Sequence, residues 1–387
     1  MASPNSALRV LVLGDFSGRA TGKLTRVDRD NFNTVLREFA PSLELAGIDL
    51  TFASLSDFEP DSIYRQSELF APLRRQGQQL YSEPSEGEIH KTLKPSAEQI
   101  ERLTSPGGLL DAVVEKGPAP GEEFQSMVER IVAPYALPAD NPETQRASAE
   151  RAQRINLLMS HILHDERFQA LESAWRGLHL LLRNLETDRA VHLHMLDISK
   201  ERLAADLPGA GRPWNLLIGN FAFDRAALAD VQLLEQISLL AQSLDAPFIA
   251  EWLPSQQENA KAEIAWQALR KSPAAGYAAL ALPRFLLRPP YGKKTAPVEE
   301  FDFEEMPGDP VHAHYLWGNP AFACGLALAS NAARLGGMPL PTTEVLLSER
   351  DCQSLVEQGA LPVAAVAGSD EIAFPRLQSI GFQSLSW

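Results

Sequence analysis

The stretch FQALESAWRGLHLLLRNL, residues 168–185, sets the frame for the rest of the chain. Its large apolar residues are Phe168, Leu171, Trp175, Leu178, Leu181, Leu182 and Leu185. Steps of three and four place them on one stripe of an α-helix. Gln169, Glu172, Arg176 and Arg183 fall on the opposite face. Trp175 sits in the middle of the stripe, where a large aromatic contributes most to burial. Gly177 interrupts a good helix at a cost of about 1 kcal/mol relative to Ala, and a close neighbour is a reason for a small residue there. Periodicity of this kind predicts a core helix of a large domain and says nothing about function.

Outward from that helix, strands and helices alternate. Arg151 to Leu163 leads into it. Val191 to Leu196, Trp214 to Gly219 and Ala246 to Ala250 read as buried strands, with an amphipathic helix over Ala226 to Leu244 between the last two. Toward the N-terminus, Leu8 to Leu13 is an apolar, β-branched strand. Phe32, Val35, Leu36 and Phe39 form a helical stripe that Asp30 or Asn31 can cap and Pro41 stops. Ile48 to Leu55 is a second strand, and Asp57-Phe58-Glu59-Pro60-Asp61 opens a further helix. Between the halves lie breaker clusters, Pro106-Gly107-Gly108, Gly117 to Gly121 and Leu137 to Pro142, with a short helical piece over Phe124 to Val132. The organisation expected is an α/β domain over 1–105, a Pro/Gly-rich linker with a short helix over 106–150, and a second α/β domain over 151–387.

Composition narrows the function. The 387 residues include 35 Lys+Arg and 50 Asp+Glu, a net charge of −15. Such a chain lacks the general attraction that draws proteins to nucleic acid or anionic membranes, so neither partner is expected. Cys324 and Cys352 are the only cysteines, which rules out a disulfide framework and cysteine-built metal centres. No apolar run approaches a membrane span of roughly 20 residues, and the N-terminus has no secretory pattern; a cytoplasmic location is expected.

Motifs for chemistry fail when counted out. Gly22-Lys23 asks for a phosphate loop, but the first glycine position is Ser17 and Leu24 stands where Ser or Thr is needed. Asp28 and Asp30 alternate as in a calcium loop, yet Phe32 occupies the next ligand position. His161, His164 and Asp165 lack a defined metal spacing, and His192 and His194 share one face of a strand. Arg284, Arg288, Glu304, Glu305 and His314 can be drawn as an acid–base set, but no nucleophile–base pattern accompanies them. No cofactor, metal or catalytic role is expected.

The wording of several segments says more. Phe168-Gln169-Ala170-Leu171-Glu172 through Trp175-Arg176-Gly177-Leu178 resembles the signature helix of the large subunit of type VI secretion contractile sheaths. Trp214 to Ala250 resembles a further large-subunit pattern, with Asn220 where Asp is usual. Leu282-Pro283-Arg284-Phe285 through Tyr291, Phe301 to Glu305, Tyr315-Leu316-Trp317-Gly318-Asn319 and Pro341 to Arg350 resemble others. The first part is similar to the small sheath subunit: Leu13-Gly14-Asp15-Phe16-Ser17-Gly18, then Asp28-Arg29-Asp30-Asn31-Phe32, then Asp57-Phe58-Glu59-Pro60-Asp61.

The resemblance implies two sheath-like lobes with mixed sheets flanked by helices, in one fused polypeptide. It implies a structural, non-enzymatic component of a contractile sheath or related injection apparatus. The partners implied are other sheath subunits or copies of itself, and beyond these baseplate or inner-tube proteins. The motif residues are then assembly and packing residues. Relative to the family, terminal interlocking strands are expected to be missing at both ends, which suggests a cap, junction or ring-forming subunit. The competing expectation is a monomeric adaptor or regulator that kept the fold without contraction.

Overall fold

The structure, a computed structural model, describes residues 7–45, 48–81, 142–187, 190–211, 213–255, 259–331, 334–335, 343–369 and 371–387. Most of the expected linker, including the short helix over Phe124 to Val132, lies outside the described residues. In chain order the elements begin with β1 (Leu8–Gly14), β2 (Leu24–Val27), α1 (Phe32–Phe39), β3 (Ser42–Leu45), β4 (Ile48–Thr51), α2 (Pro60–Gln66) and α3 (Ala71–Tyr81). Next come α4 (Pro142–Leu163), α5 (Glu166–Asn184), β5 (Val191–Asp197), α6 (Leu203–Asp206), β6 (Leu216–Phe223), α7 (Leu228–Leu244), β7 (Phe248–Trp252), α8 (Ala260–Lys271) and β8 (Ala278–Leu282). The remainder is β9 (Phe285–Leu286), β10 (Trp317–Gly318), α9 (Pro320–Ser330), β11 (Arg334–Leu335), α10 (Glu349–Gln358), β12 (Ala360–Pro362), β13 (Ala364–Ala365) and β14 (Ile372–Ala373).

The class is α/β, with a mixed sheet flanked by helices, as expected. The main sheet has seven strands in the order β12-β8-β7-β6-β1-β5-β2. Only β2 runs antiparallel to its neighbour; the other pairings are parallel. The N-terminal strand β1 lies inside this sheet, in register with β5 on one side and β6 on the other. The apolar run of β1 explains that position. Val10 to Leu13 are fully buried, as a strand covered by helices on both faces requires. Leu11 and Leu13 join the core beneath α7 and α8 with Leu217, Phe248, Trp266 and Leu280. Val10 and Val12 alternate to the other face.

Residues Met1–Ser67 and Leu158–Trp387 thus form one compact unit, and Glu68–Leu157 a second. In the second, Arg151 Nε on α4 donates to the Leu73 carbonyl on α3 at 2.7 Å.

Helix α5 is the signature stretch. Asp165 caps it, accepting from the backbone N–H groups of Arg167 and Phe168. Every member of the predicted stripe is buried. Its charged face differs from a solvent-facing one: Glu172 is fully buried and Arg176 partly so. Gly177 has the close neighbour its sequence context asked for. It is the ring of Phe322 on α9, which a Cβ at 177 would strike. Helix α9 is apolar up to its last residue, Ser330, and ends at Asn331 in the left-handed conformation (φ 52°). Replacing Gly177 with Val should drive Phe322 from its seat and lower unfolding free energy by about 1–3 kcal/mol. Chemical denaturation compared with the wild type measures this.

Candidate functional site

The motif residues of the two halves meet on α5. Trp175, fully buried, is ringed edge-on by Phe16, Phe32 and Phe39, with ring centroids at 5.6, 5.9 and 6.1 Å. Its indole Nε1 donates to the Phe16 carbonyl at 2.8 Å, so the one polar atom of the side chain is satisfied inside the core. About two turns earlier, Phe168 packs edge-on against Phe52 and Phe58, themselves stacked at 4.0 Å. At the far end, Arg29 donates to the carbonyls of Leu182, Arg183 and Leu185. It satisfies acceptors that the helix leaves open and places a cation at the negative end of its dipole.

The loop after β1 is held by a residue that sequence reading did not single out. Asp197, the last residue of β5 and fully buried, accepts from Phe16 N–H (2.7 Å), Ser17 N–H (3.1 Å) and Ser17 Oγ (2.8 Å). It also accepts from Thr21 N–H (2.8 Å) and Thr21 Oγ1 (2.6 Å). An Asp closing an apolar strand was the available signal. Asp15 accepts from Gly18 and Ala20 N–H (2.7 and 3.2 Å); burial raises its carboxyl above the usual range, assisted by the charge of Asp197. Gly14 stands against Asn220, where a Cβ would come within 3.1 Å of the Asn220 Cβ.

The remaining small-subunit motifs hold turns. Asn31 precedes α1 but does not cap it through its side chain; it exchanges hydrogen bonds with Asp28 instead. Asp30 is exposed. Asp57 closes a capping box with Ser54, and Pro60 opens α2. Asp61 accepts from the backbone N–H groups of Glu299 and Glu300, joining α2 to the loop before Phe301-Asp302-Phe303.

A buried ionic cluster lies on the other flank of α5. Glu172 accepts from Arg176 Nε (2.6 Å) and Arg288 Nε (3.0 Å). Arg288 also donates to both oxygens of Glu305, at 2.8 and 3.2 Å, and Glu305 accepts the Tyr291 N–H at 2.7 Å. His164 Nε2 lies 3.6 Å from Glu305, and its ring stacks on His314 at 3.7 Å. Two carboxylates and two guanidiniums balance. Burial alone would push the Glu305 carboxyl up, but His164, Arg288 and the Tyr291 N–H outweigh it and hold it at about 2. Burial alone would lower Arg288, yet Glu172, Tyr291 and Glu305 raise it above its ordinary value.

The acid–base set drawn from sequence therefore separates. Arg288 and Glu305 pair here, and Glu304 accepts the Lys293 N–H. Arg284, beside Pro283, forms a bidentate pair with Glu344 (3.0 and 2.8 Å) at another place. His312 Nε2 reaches the same Glu344 at 3.0 Å. Arg284 Nε stands 3.9 Å from Glu251, at the end of β7. Burial raises Glu251 to about 7 against the weaker pull of Arg284, and Glu344 adds to the rise. Phe285 and Trp317-Gly318 pair as the β9–β10 ladder. Trp317 packs beside Tyr315, and Asn319 caps α9. Among the described residues no group of three His, Cys, Asp or Glu side chains is placed to hold a metal ion, and no helix is long and apolar enough to cross a membrane.

These residues pack and pair within the fold. The type VI secretion system family model for VipA, VC_A0107 or Hcp2 matches residues 5–82. The EvpB/VC_A0108 tail sheath N-terminal domain model, VipB, matches residues 145–210 and 254–338. Among curated proteins, the type VI secretion system sheath protein TssC1 of Pseudomonas aeruginosa is 30% identical over 305 residues, covering 61% of this chain and 59% of that protein. The chain thus spans less than two thirds of that relative's length. One polypeptide carries a region similar to the small sheath subunit followed by a region similar to the large one, and their motifs meet at α5.

Replacing Arg288 with Met leaves Glu305 and Glu172 buried without their shared partner and should cost about 3–5 kcal/mol in denaturant titration. The two shifted carboxyls give opposite pH signs. Glu305, held at about 2, contributes stability that is full above its ordinary 4.5 and is lost as pH falls toward 2. Glu251, raised to about 7, contributes stability that is full below 4.5 and is lost as pH rises through 7. Glu251→Gln should therefore gain on the wild type at pH 8, by on the order of a few kcal/mol, with the gain vanishing below pH 4.5. Thermal melts across pH test this.

Proposed function

We propose that the chain is a structural subunit of a type VI secretion contractile sheath or a related contractile injection apparatus. It supplies small-subunit-like and large-subunit-like parts as one prefolded body. The observation that carries this reading is the seam on α5. There Trp175 of the large-subunit signature is enclosed by Phe16 and Phe32 of the small-subunit motifs and by Phe39. Residues of this kind store energy in packing, which supports a structural role. The partners proposed are copies of the chain or separate sheath subunits, and through them an inner tube or baseplate, in the cytoplasm.

Negative-stain electron microscopy of the chain, alone and mixed with separate sheath subunits, tests the reading. Tubes, rings or sheath ends that contain the chain are the expected result, and the form seen distinguishes an elongating subunit from a cap. A chain that stays monomeric in every mixture would contradict it and favour an adaptor.

A further inference from the structure

A groove of about 650 Å³ opens beside the carboxyl ends of β7 and β8 and the helix α10, within the size range of ligand-binding clefts. Its walls are apolar: Trp252, Leu253, Pro254, Leu282, Pro283 and Leu355. Leu253 is 45% exposed, Val345 in the wall 54%, and Leu346 beside it 77%. Large aliphatic side chains gathered around one groove and left this far in water are the mark of a surface awaiting a partner.

Among the described residues, three carboxyl groups, those of Glu251, Glu344 and Asp351, line the rim with one guanidinium, that of Arg284. Arg284 is committed to Glu344 through two hydrogen bonds, and Asp351 to the cap of α10 through Ser348. Glu251 has Arg284 only at 3.9 Å, beyond hydrogen-bond reach. The groove therefore calls for an apolar side chain flanked by basic ones. The segment 82–141 of the same chain has the wrong sign, with 11 Asp+Glu against 5 Lys+Arg.

A complementary surface is present on the same molecule. Helix α8 carries Ile264, 72% exposed, with Lys261 three residues before it and Ala268 and Lys271 four and seven after, all exposed. That spacing sets them on one stripe, with the two lysines about 15 Å apart along the axis. The acid of this helix, Glu263, is turned about 100° from Ile264 and accepts from Gln267 at 2.8 Å. Among the described residues neither lysine has an acidic partner in its own chain.

We propose that α8 of a second copy of this chain docks in the groove, with Ile264 seated against Leu253, Val345 and Leu346 and with Lys261 and Lys271 facing the acidic rim. The two surfaces are different, so the contact is either reciprocated across a two-fold axis or repeated head to tail into a chain of subunits. It goes beyond the sheath reading and stands on this pair of surfaces alone.

Size exclusion with light scattering, over a range of protein concentrations at low salt, tests it. The wild type is expected to self-associate with concentration and to weaken as salt is raised. Ile264→Asp and Leu346→Asp, both at exposed positions and so expected to melt as the wild type does, should each weaken association at least tenfold. Mixed together they should form a 1:1 complex, because each keeps the half the other has lost. A wild type that stays monomeric at every concentration would overturn the proposal, as would single variants that associate like the wild type or a mixture that remains two monomers. A chain that joins sheath particles yet is monomeric alone would overturn this contact and leave the proposed sheath role standing.

Discussion

Everything in the larger unit refers back to the hydrogen bond from Trp175 Nε1 to the Phe16 carbonyl and the aromatic ring set around it. Leaving this N–H unmet in the apolar core would cost about 1–3 kcal/mol. The acceptor lies 159 residues earlier, on the loop that follows the buried strand β1. Meeting it fixes the loop, the loop fixes β1 between β5 and β6, and that position completes the sheet. Asp197 holds the same loop from the other side through five hydrogen bonds. The two anchors approach one short segment from α5 and from β5, so neither half can place its motifs without the other.

The second flank of α5 follows a different logic. Glu172, Arg176, Arg288 and Glu305 are taken out of water together, and buried pairs of this kind add little net stability over apolar packing. Their effect is directional. A bidentate guanidinium between two carboxylates admits one arrangement of the 288–305 loop against the helix, whereas an apolar patch would admit several. The aromatic flank supplies burial and the ionic flank supplies orientation, which suits a subunit whose outer surface must present defined contacts.

Sequence patterns carried the elements well where burial is one-sided and periodic. The stripe of α5, the α1 stripe of Phe32, Val35, Leu36 and Phe39, and the apolar run of β1 all appear where spacing put them. The seam itself was not legible, because a pattern shows that Trp175 is buried and not what buries it. The charged face of α5 shows the same limit. Glu172 looks like a solvent residue until Arg288, 116 positions away, is brought beside it. Asp197 escaped notice because its partners are backbone N–H groups and hydroxyls of a loop that has no periodicity. The set of Arg284, Arg288, Glu304, Glu305 and His314 was close in sequence and divides in space, with Arg284 paired to Glu344 and Arg288 to Glu305.

The central claim is that the small-subunit-like segment is held by the α5 seam and not by its covalent tether. The most direct measurement is to insert a specific protease site in the Pro/Gly cluster near Gly117, cleave the folded protein, and follow the two fragments under native conditions. The account predicts that they stay together as a 1:1 complex with an unchanged near-ultraviolet tryptophan signal. Fragments that part on cleavage, each keeping its own folded spectrum, would contradict it.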